Sequence, residues 1–344
     1  MIDEMEFGIH LNAKKWQAEP KFFDTNFRDS CIRIFLLTFA HQMKTLISVI
    51  GTTGIGKTKL AIDIAKHFGT EIISCDSRQF FKEMKIGTAT PSKEELDKVP
   101  HHFIGNLSVK DYYSIGQFEK DAAEKLAELF QKQEVLVLVG GSMMYEKAVI
   151  EGLNDLPEAD DENQKKLQQI WDKNGIGELQ KILEKLDPEY YKTVDKDNPR
   201  RLLRAIDIIW QTGKTYTENI SSKIKKRDFQ VIRIGIEAPR EIIYERINRR
   251  VDQMISDGLV KEAEELVPFK NLVPLQTVGY TELFKYFDGE WDLEFAIEEI
   301  KKNSRRFAKR QLTWYRKEKN INWVNFENSL QESLSLLSSL KLET

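Results

Sequence analysis

The chain has 344 residues, 41% of them hydrophobic and 31% charged, which suits a folded protein with one large core, or one core plus a smaller module. No apolar run is long enough to span a bilayer, and Cys31 and Cys75 offer neither metal-ligand spacing nor a disulfide framework, so a reducing, cytoplasmic setting is expected. The net charge of -3 argues against a nucleic-acid partner only as a sum, because a sum hides local basic patches.

Residues 1–42 mix polar and aromatic positions around a short apolar patch at 32–40, too short for a membrane span and without a clear cleavage site after it. Met43 opens directly onto the first convincing strand. Met43 is therefore expected to be the natural start, with 1–42 a non-native or disordered extension.

Residues 44–50 form a β-branched run closed by glycine, the pattern of a buried strand. The glycine-rich stretch Gly51-Thr52-Thr53-Gly54-Ile55-Gly56-Lys57-Thr58 follows, and residues 58–68 have helical apolar spacing ended by Gly69. Further strands are expected at 71–75, at the fully apolar 135–139 and at 229–236, with a helix from about Pro239. Residues 155–222 carry no strand signal and read as a helical insertion. From 241 to about 319 the chain is again helical, and Trp323 and Val324 suggest one more short strand. The expected fold is α/β: a P-loop NTPase-like, doubly wound parallel sheet with a helical insertion domain. Its core would comprise 43–154 and 223–326, the insertion 155–222, and a weak helix or tail 327–344.

A P-loop works because its glycines turn successive backbone N–H groups toward phosphate oxygens while the following helix adds its positive end. Lys57 supplies a point charge, and the Thr58 hydroxyl is placed to ligate Mg²⁺. The apolar strand 135–139 ends in Gly140-Gly141-Ser142, where an ATPase or GTPase would carry a metal-holding acid. The acid instead follows the second strand, in Asp76-Ser77-Arg78-Gln79. There it faces the ligand crevice of such sheets, as a candidate base or as a turn-forming cap.

Two basic features suggest a large anionic partner. Arg200, Arg201 and Arg204 crowd the first turn of a helix opened by Asn198-Pro199, where the dipole favours acids. Lys301, Lys302, Arg305, Arg306, Lys309 and Arg310 form like-charged columns on another helix, relieved only at its start by Glu298 and Glu299. A solvated face is the competing reading. Trp314 and Tyr315 could stack on bases or pack inside. Arg246, Arg249 and Arg250 read either as a mobile clamp on a leaving phosphate or as surface salt bridges. His101-His102 lacks a third ligand and reads as structural.

Taken together these residues resemble the tRNA dimethylallyltransferase (tRNA isopentenyltransferase) family. The matching motifs are the P-loop, Asp76-Ser77-Arg78-Gln79, Ile86-Gly87-Thr88-Ala89, His101-His102-Phe103-Ile104 and the stretch from Gly140 to Tyr145. They continue with Asn198-Pro199-Arg200-Arg201-Leu202-Leu203-Arg204-Ala205, Val278-Gly279-Tyr280 and Ala308-Lys309-Arg310-Gln311-Leu312-Thr313-Trp314, in the family's order from about Met43 to Trp323. The resemblance implies transfer of a dimethylallyl group from dimethylallyl diphosphate to the exocyclic amine of the adenosine beside the anticodon. It implies Asp76 as base, with Lys57 and Ser142 as further catalytic groups, and a diphosphate held by residues 51–58 and Arg250, with Mg²⁺ on Thr58. It assigns tRNA contacts to Asp76, Ser77, Arg78, Gln79, Ser142, Gln164, Arg200, Arg201, Arg204, Val278, Gly279, Tyr280, Lys309 and Arg310. Phe81 stands where many relatives have tyrosine, Ser142 where threonine is common, and 1–42 has no family counterpart. Nothing in the motifs requires more than a monomer. The other readings are transfer to free adenine nucleotides, a small-molecule kinase, and a non-catalytic nucleotide-dependent RNA-binding module.

Overall fold

The computed structural model describes residues 44–221 and 227–340; the expected extension 1–42, with Cys31, lies outside the described residues. Six parallel strands form one sheet: β1 (Thr45–Gly51), β2 (Ile72–Ser74), β3 (His101–His102), β4 (Val135–Val139), β5 (Gln230–Glu237) and β6 (Asn322–Asn325), in the order β3-β2-β4-β1-β5-β6. Every residue of β1 and β4 is buried, as a strand covered on both faces requires. Val135, Val137 and Val139 join one apolar cluster and Leu136 and Leu138 the other, so the run VLVLV supplies both layers through its period of two.

Among the described residues are fourteen α-helices: α1 (Lys57–Phe68), α2 (Lys93–Leu96), α3 (Ile115–Leu129), α4 (Met143–Glu151), α5 (Asp161–Asn174), α6 (Ile176–Leu186), α7 (Pro188–Thr193), α8 (Pro199–Thr212), α9 (Tyr216–Ile220), α10 (Arg240–Ser256), α11 (Leu259–Glu265), α12 (Tyr280–Phe287), α13 (Leu293–Tyr315) and α14 (Ser329–Ser339). Ile64 of α1, Ile243 and Ile247 of α10 and Leu337 of α14 pack on the valine side; Phe118 of α3, Leu283 of α12 and Ile300 of α13 pack on the leucine side. Gly69 ends α1 in the left-handed region, φ 60°, its N–H returning to Ala65 and Lys66 carbonyls. None of the described helices is long and apolar enough to cross a membrane.

Helices α5–α9 gather around an apolar cluster of their own, with Leu167, Leu179, Leu183, Leu202 and Ile206 at its centre. Buried Asp187 ties this group together. It caps α7 by accepting from the Tyr190 N–H at 2.9 Å and also accepts from the Thr217 N–H at 2.7 Å. The segment 327–344, expected as a weak helix or tail, contributes α14, with Ser333 and Leu337 buried.

Helices α2, α3 and α4 and strand β3 lie outside the elements expected from the sequence. Helix α3 carries Ala122 and the buried acid Glu119 on its inner face, and Arg227 pairs with Glu119 at 2.6 Å. Strand β3 is only two histidines long and exists through its register with β2. His102 meets Glu71 at 2.7 Å and His101 meets the Val99 carbonyl at 2.7 Å, both structural partners.

Candidate active site

The loops after β1, β2 and β4 meet at the carboxyl edge of the sheet. Gly51, Gly54 and Gly56 have φ of 146°, 78° and 111°, and Gly56 precedes α1, so this loop curls over the helix N-terminus as a phosphate cradle requires. A Cβ on Gly51 would lie 3.1 Å from the Ile236 carbonyl of β5, which binds the loop closely to the sheet. Ile55 turns its side chain into the core. The Lys57 ammonium is folded back on the Thr52 carbonyl at 2.9 Å; burial pushes its pKa down to about 8, opposed by Asp76.

After β2, Asp76 forms an Asx turn, Oδ1 accepting from the Arg78 N–H at 3.2 Å. Ser142 opens α4, and its hydroxyl accepts from the Ser77 N–H at 3.0 Å, pinning the Asp76 loop to the end of β4. Helix α4 is itself anchored by Glu146. This wholly buried carboxylate accepts from both Nε and Nη2 of Arg233 (2.9 and 2.8 Å) and from the Ser48 hydroxyl at 3.0 Å. A Cβ on Gly141 would lie 2.9 Å from Gln311 Nε2, 3.4 Å from Asp76 Oδ2 and 3.8 Å from Lys57 Nζ. The missing side chain therefore lets three polar groups converge.

Two cavities of about 360 Å³ each adjoin here. One has a wall about evenly polar and apolar, with Gly54, Gly56, Lys57, Thr58, Ser74 and Gln79 on it. The other is mainly apolar, with Met143, Val251, Met254, Val278, Ile300 and Phe307 alongside Ser77, Arg78 and Ser142. Thr53, Asp76, Gly141, Arg250 and Phe307 line both and so form the seam between them.

The three arginines of α10 separate. Arg250 is held in the seam, donating to the Thr53 hydroxyl at 3.2 Å and to the Thr88 carbonyl at 3.4 Å; burial lowers its pKa and Asp76 opposes this. Arg246 braces the P-loop from behind through the Ile55 carbonyl at 3.0 Å and stacks on Phe326. Arg249 is exposed and pairs with Glu245. Of the three arginines only Arg250 lines the cavities, because Arg246 is taken up by the Ile55 carbonyl and Arg249, adjacent to Arg250 in sequence, points to solvent.

Gln79 and Arg78 shape the walls. Gln79 donates to the Thr88 and Ala89 carbonyls at 3.3 and 3.2 Å, and Arg78 to the Val273 and Pro274 carbonyls at 3.1 and 2.9 Å. Val278 and Gly279 line the apolar cavity. Tyr280 corrects the expectation of direct RNA contact: it is wholly buried, its hydroxyl donating to Glu262 at 2.7 Å. The same carboxylate accepts from the Ile86 and Gly87 N–H groups at 2.8 and 2.9 Å, so Tyr280 supports the Ile86-Gly87 turn.

Gln164, Arg200, Arg201, Arg204, Lys309 and Arg310 line neither cavity. Arg200, Arg201, Lys309 and Arg310 are exposed and Gln164 half-buried. Arg204 is committed within the helical group, to Asp207 at 3.0 Å and to the Pro157 carbonyl, which takes it out of a free basic cluster. On α13, Lys301 is paired with Asp252 and Glu298, Lys302 with Glu299, and Arg305 with Asn248. Tyr315 is wholly buried, so it packs inside and offers no stacking face.

Sequence reasoning quoted Gln311 only inside the motif at 308–314, without a role of its own, and did not single out Phe307. Gln311 is wholly buried; its Oε1 accepts from the Thr53 N–H at 2.8 Å and its Nε2 donates to the Gly141 carbonyl at 2.7 Å. The available signal was a polar residue on the inner face of α13, three after Ala308 and four before Tyr315.

The donor set fits Mg²⁺. The cradle offers hydroxyl oxygens at Thr58 and Ser74 beside Asp76. A hard cation that retains water and takes its other ligands from phosphate suits such a wall.

The sequence matches the family described as IPP transferase over residues 79–318. It is 56% identical to a tRNA dimethylallyltransferase of Christiangramia forsetii over 294 residues, covering 86% of this chain and 97% of the relative. It is 47% identical to tRNA dimethylallyltransferase 1 of Bacteroides fragilis over 298 residues, covering 87% and 99%. Among solved structures it resembles the tRNA isopentenylpyrophosphate transferase of Bacillus halodurans, with a TM-score of 0.64 at 34% identity, covering 86% of this chain and 96% of that one. A eukaryotic dimethylallyltransferase acting on tRNA shares the fold, with a TM-score of 0.72 at 23% identity, covering 86% of this chain and 78% of that one.

Proposed function

The chain belongs to the IPP transferase family, and from that membership and the shape of its cleft we infer that it transfers a dimethylallyl group from dimethylallyl diphosphate to tRNA, releasing diphosphate. The observation that carries this reading is the seam, where a phosphate cradle and an apolar cavity share Asp76 and Arg250. A small-molecule kinase would set a nucleotide base and a hydroxyl acceptor beside the cradle. An allylic diphosphate needs charge at one end and an apolar wall at the other.

The diphosphate would lie against the P-loop amides, the N-terminus of α1, Lys57 and Arg250, which favour the negative charge that develops as the allylic C–O bond loosens. The electron pair of that bond leaves with the diphosphate. The acceptor is the exocyclic amine of the adenosine beside the anticodon, whose base must leave its stack to enter the cleft. As its nitrogen bonds to the allylic carbon, the amine becomes acidic, and Asp76 accepts the proton. Ser142, through Ser77, holds the Asp76 loop in register with the end of β4. Mg²⁺ would be held by Thr58 with phosphate oxygens and water, and when bound supplies further charge neutralisation on the leaving group.

Arg200, Arg201, Lys309 and Arg310, with Gln164, form the proposed grip on the anticodon stem-loop through phosphate and shape. The protein would act as a monomer in the cytoplasm, where its tRNA substrate and free thiol at Cys75 belong.

The test is incubation with unmodified tRNA, labelled dimethylallyl diphosphate and Mg²⁺. Label is expected in tRNA at the adenosine beside the anticodon. Label passing only to free AMP or ADP, or phosphate transfer from ATP to a small molecule, would overturn the reading.

A further inference from the structure

Helix α13 has two faces with different tasks. Its inner face is Ala296, Ile300, Ala308, Gln311 and Tyr315, all buried, and Gln311 is the polar member whose amide is used at both ends. Its outer face carries the exposed cations Lys309 and Arg310, the two residues immediately before Gln311. An amide in that setting is costly unless satisfied, and here its two partners lie on different loops. Thr53 belongs to the P-loop and Gly141 to the turn after β4, against which Asp76 and Lys57 rest. Gln311 therefore spans the mouth between phosphate cradle and base. It also occupies the Thr53 N–H, an amide of the kind that P-loops direct at phosphate. Phe307, one turn earlier on α13, lines both cavities.

We propose that Gln311 is a positioning residue that couples RNA bound on the outer face of α13 to diphosphate bound in the P-loop. The proposal rests on the reading of Lys309 and Arg310 as RNA contacts. RNA that draws on those cations biases the position of the helical turn that carries Gln311. Any shift of that turn changes the separation of Thr53 and Gly141, because one rigid amide holds both. The cradle then favours diphosphate differently with RNA in place, and by linkage diphosphate changes RNA affinity by the same factor.

Inorganic pyrophosphate with Mg²⁺ and unmodified tRNA are the probes. Dissociation constants for each are measured with and without saturating amounts of the other, on the wild-type protein and on Gln311→Met and Gln311→Glu. Methionine keeps the volume and removes both hydrogen bonds; glutamate keeps the acceptor toward Thr53 and loses the donor toward Gly141. The wild-type protein is expected to show reciprocal coupling of about tenfold, within the usual range for linked sites. Both variants should fall below about twofold while binding tRNA alone within about twofold of wild type. Because glutamate preserves shape and one bond, it keeps the test available where methionine does not fold. Coupling retained in either folded variant, or absent from the wild type, overturns the proposal. Failure of tRNA to bind the wild-type protein while pyrophosphate still binds overturns the RNA reading itself, a separate and recognisable outcome.

Discussion

Arg250 donates to the Thr53 hydroxyl at 3.2 Å, which holds its half-buried guanidinium in the seam where the phosphate cradle meets the apolar cavity. On the proposed function, a cation placed there would meet the oxygen on which charge develops as the allylic bond breaks. Arg250→Ala should lower single-turnover transfer by about 10²–10³-fold, the scale for losing one preorganised donor. Arg250→Lys should recover only part of this, since an ammonium cannot reproduce a planar fork reaching both Thr53 and Thr88. Quench-flow with saturating tRNA measures the step directly.

For Asp76 the expected outcome is a loss of turnover with binding preserved. Asp76→Asn keeps the shape and the Asx turn but cannot take the amine proton, so kcat should fall by about 10²–10⁴-fold. Filter binding should give a tRNA Kd close to wild type. Near-normal turnover would falsify its assignment as base.

On the proposed function, Lys57 should make diphosphate binding sensitive to pH. Its ammonium is held down to about 8 in the free protein, chiefly by burial, and bound diphosphate raises that value by pairing with the charged form. Affinity is thus level below about pH 8 and declines as the pH rises above it, by up to tenfold per unit until the bound-state value is reached. The substrate contributes little to this window, because its own last ionisation is near pH 6. The KM for dimethylallyl diphosphate between pH 7 and 9.5 checks the slope, and Lys57→Arg, which stays charged throughout, should flatten it.

On α13 the charges are unequal. Lys301 and Lys302 already face acids, whereas Lys309 and Arg310 are exposed on the outer face. Replacing Lys309 and Arg310 with alanine should weaken tRNA binding and reduce the slope of log K against log salt by about 1 to 2. The same change at Lys301 and Lys302 should move it less. Equal slopes for the two double variants would return α13 to a solvated face.

Close packing beneath the site sets a limit on substitution. A methyl group on Gly140 would stand 2.5 Å from Cys75 Sγ and 2.7 Å from the Cys75 carbonyl carbon. Gly140→Ala must therefore part the ends of β2 and β4, at an expected cost of about 1–3 kcal/mol, readable as a lower urea midpoint. Because Asp76 follows Cys75, activity should fall more than stability alone explains.

Local patterns determined much of this protein. The runs at β1 and β4, the glycines of the P-loop, the carboxylate after β2 and the basic columns on α13 are all legible because each depends on residues close together in the chain. Even the absence of an acid after β4 could be read there. Tertiary structure decided what depends on juxtaposition. It selected Arg250 from three nearby arginines, tied Arg204 to Asp207, buried Tyr280, and divided the α13 cations into paired and exposed sets. It also brought Gln311 to Thr53 across 258 positions of sequence. Its physical reason is that a side chain's partner is set by where the fold buries it. A buried amide, carboxylate or phenol must find that partner wherever the chain returns, and spacing along the sequence carries no record of the encounter.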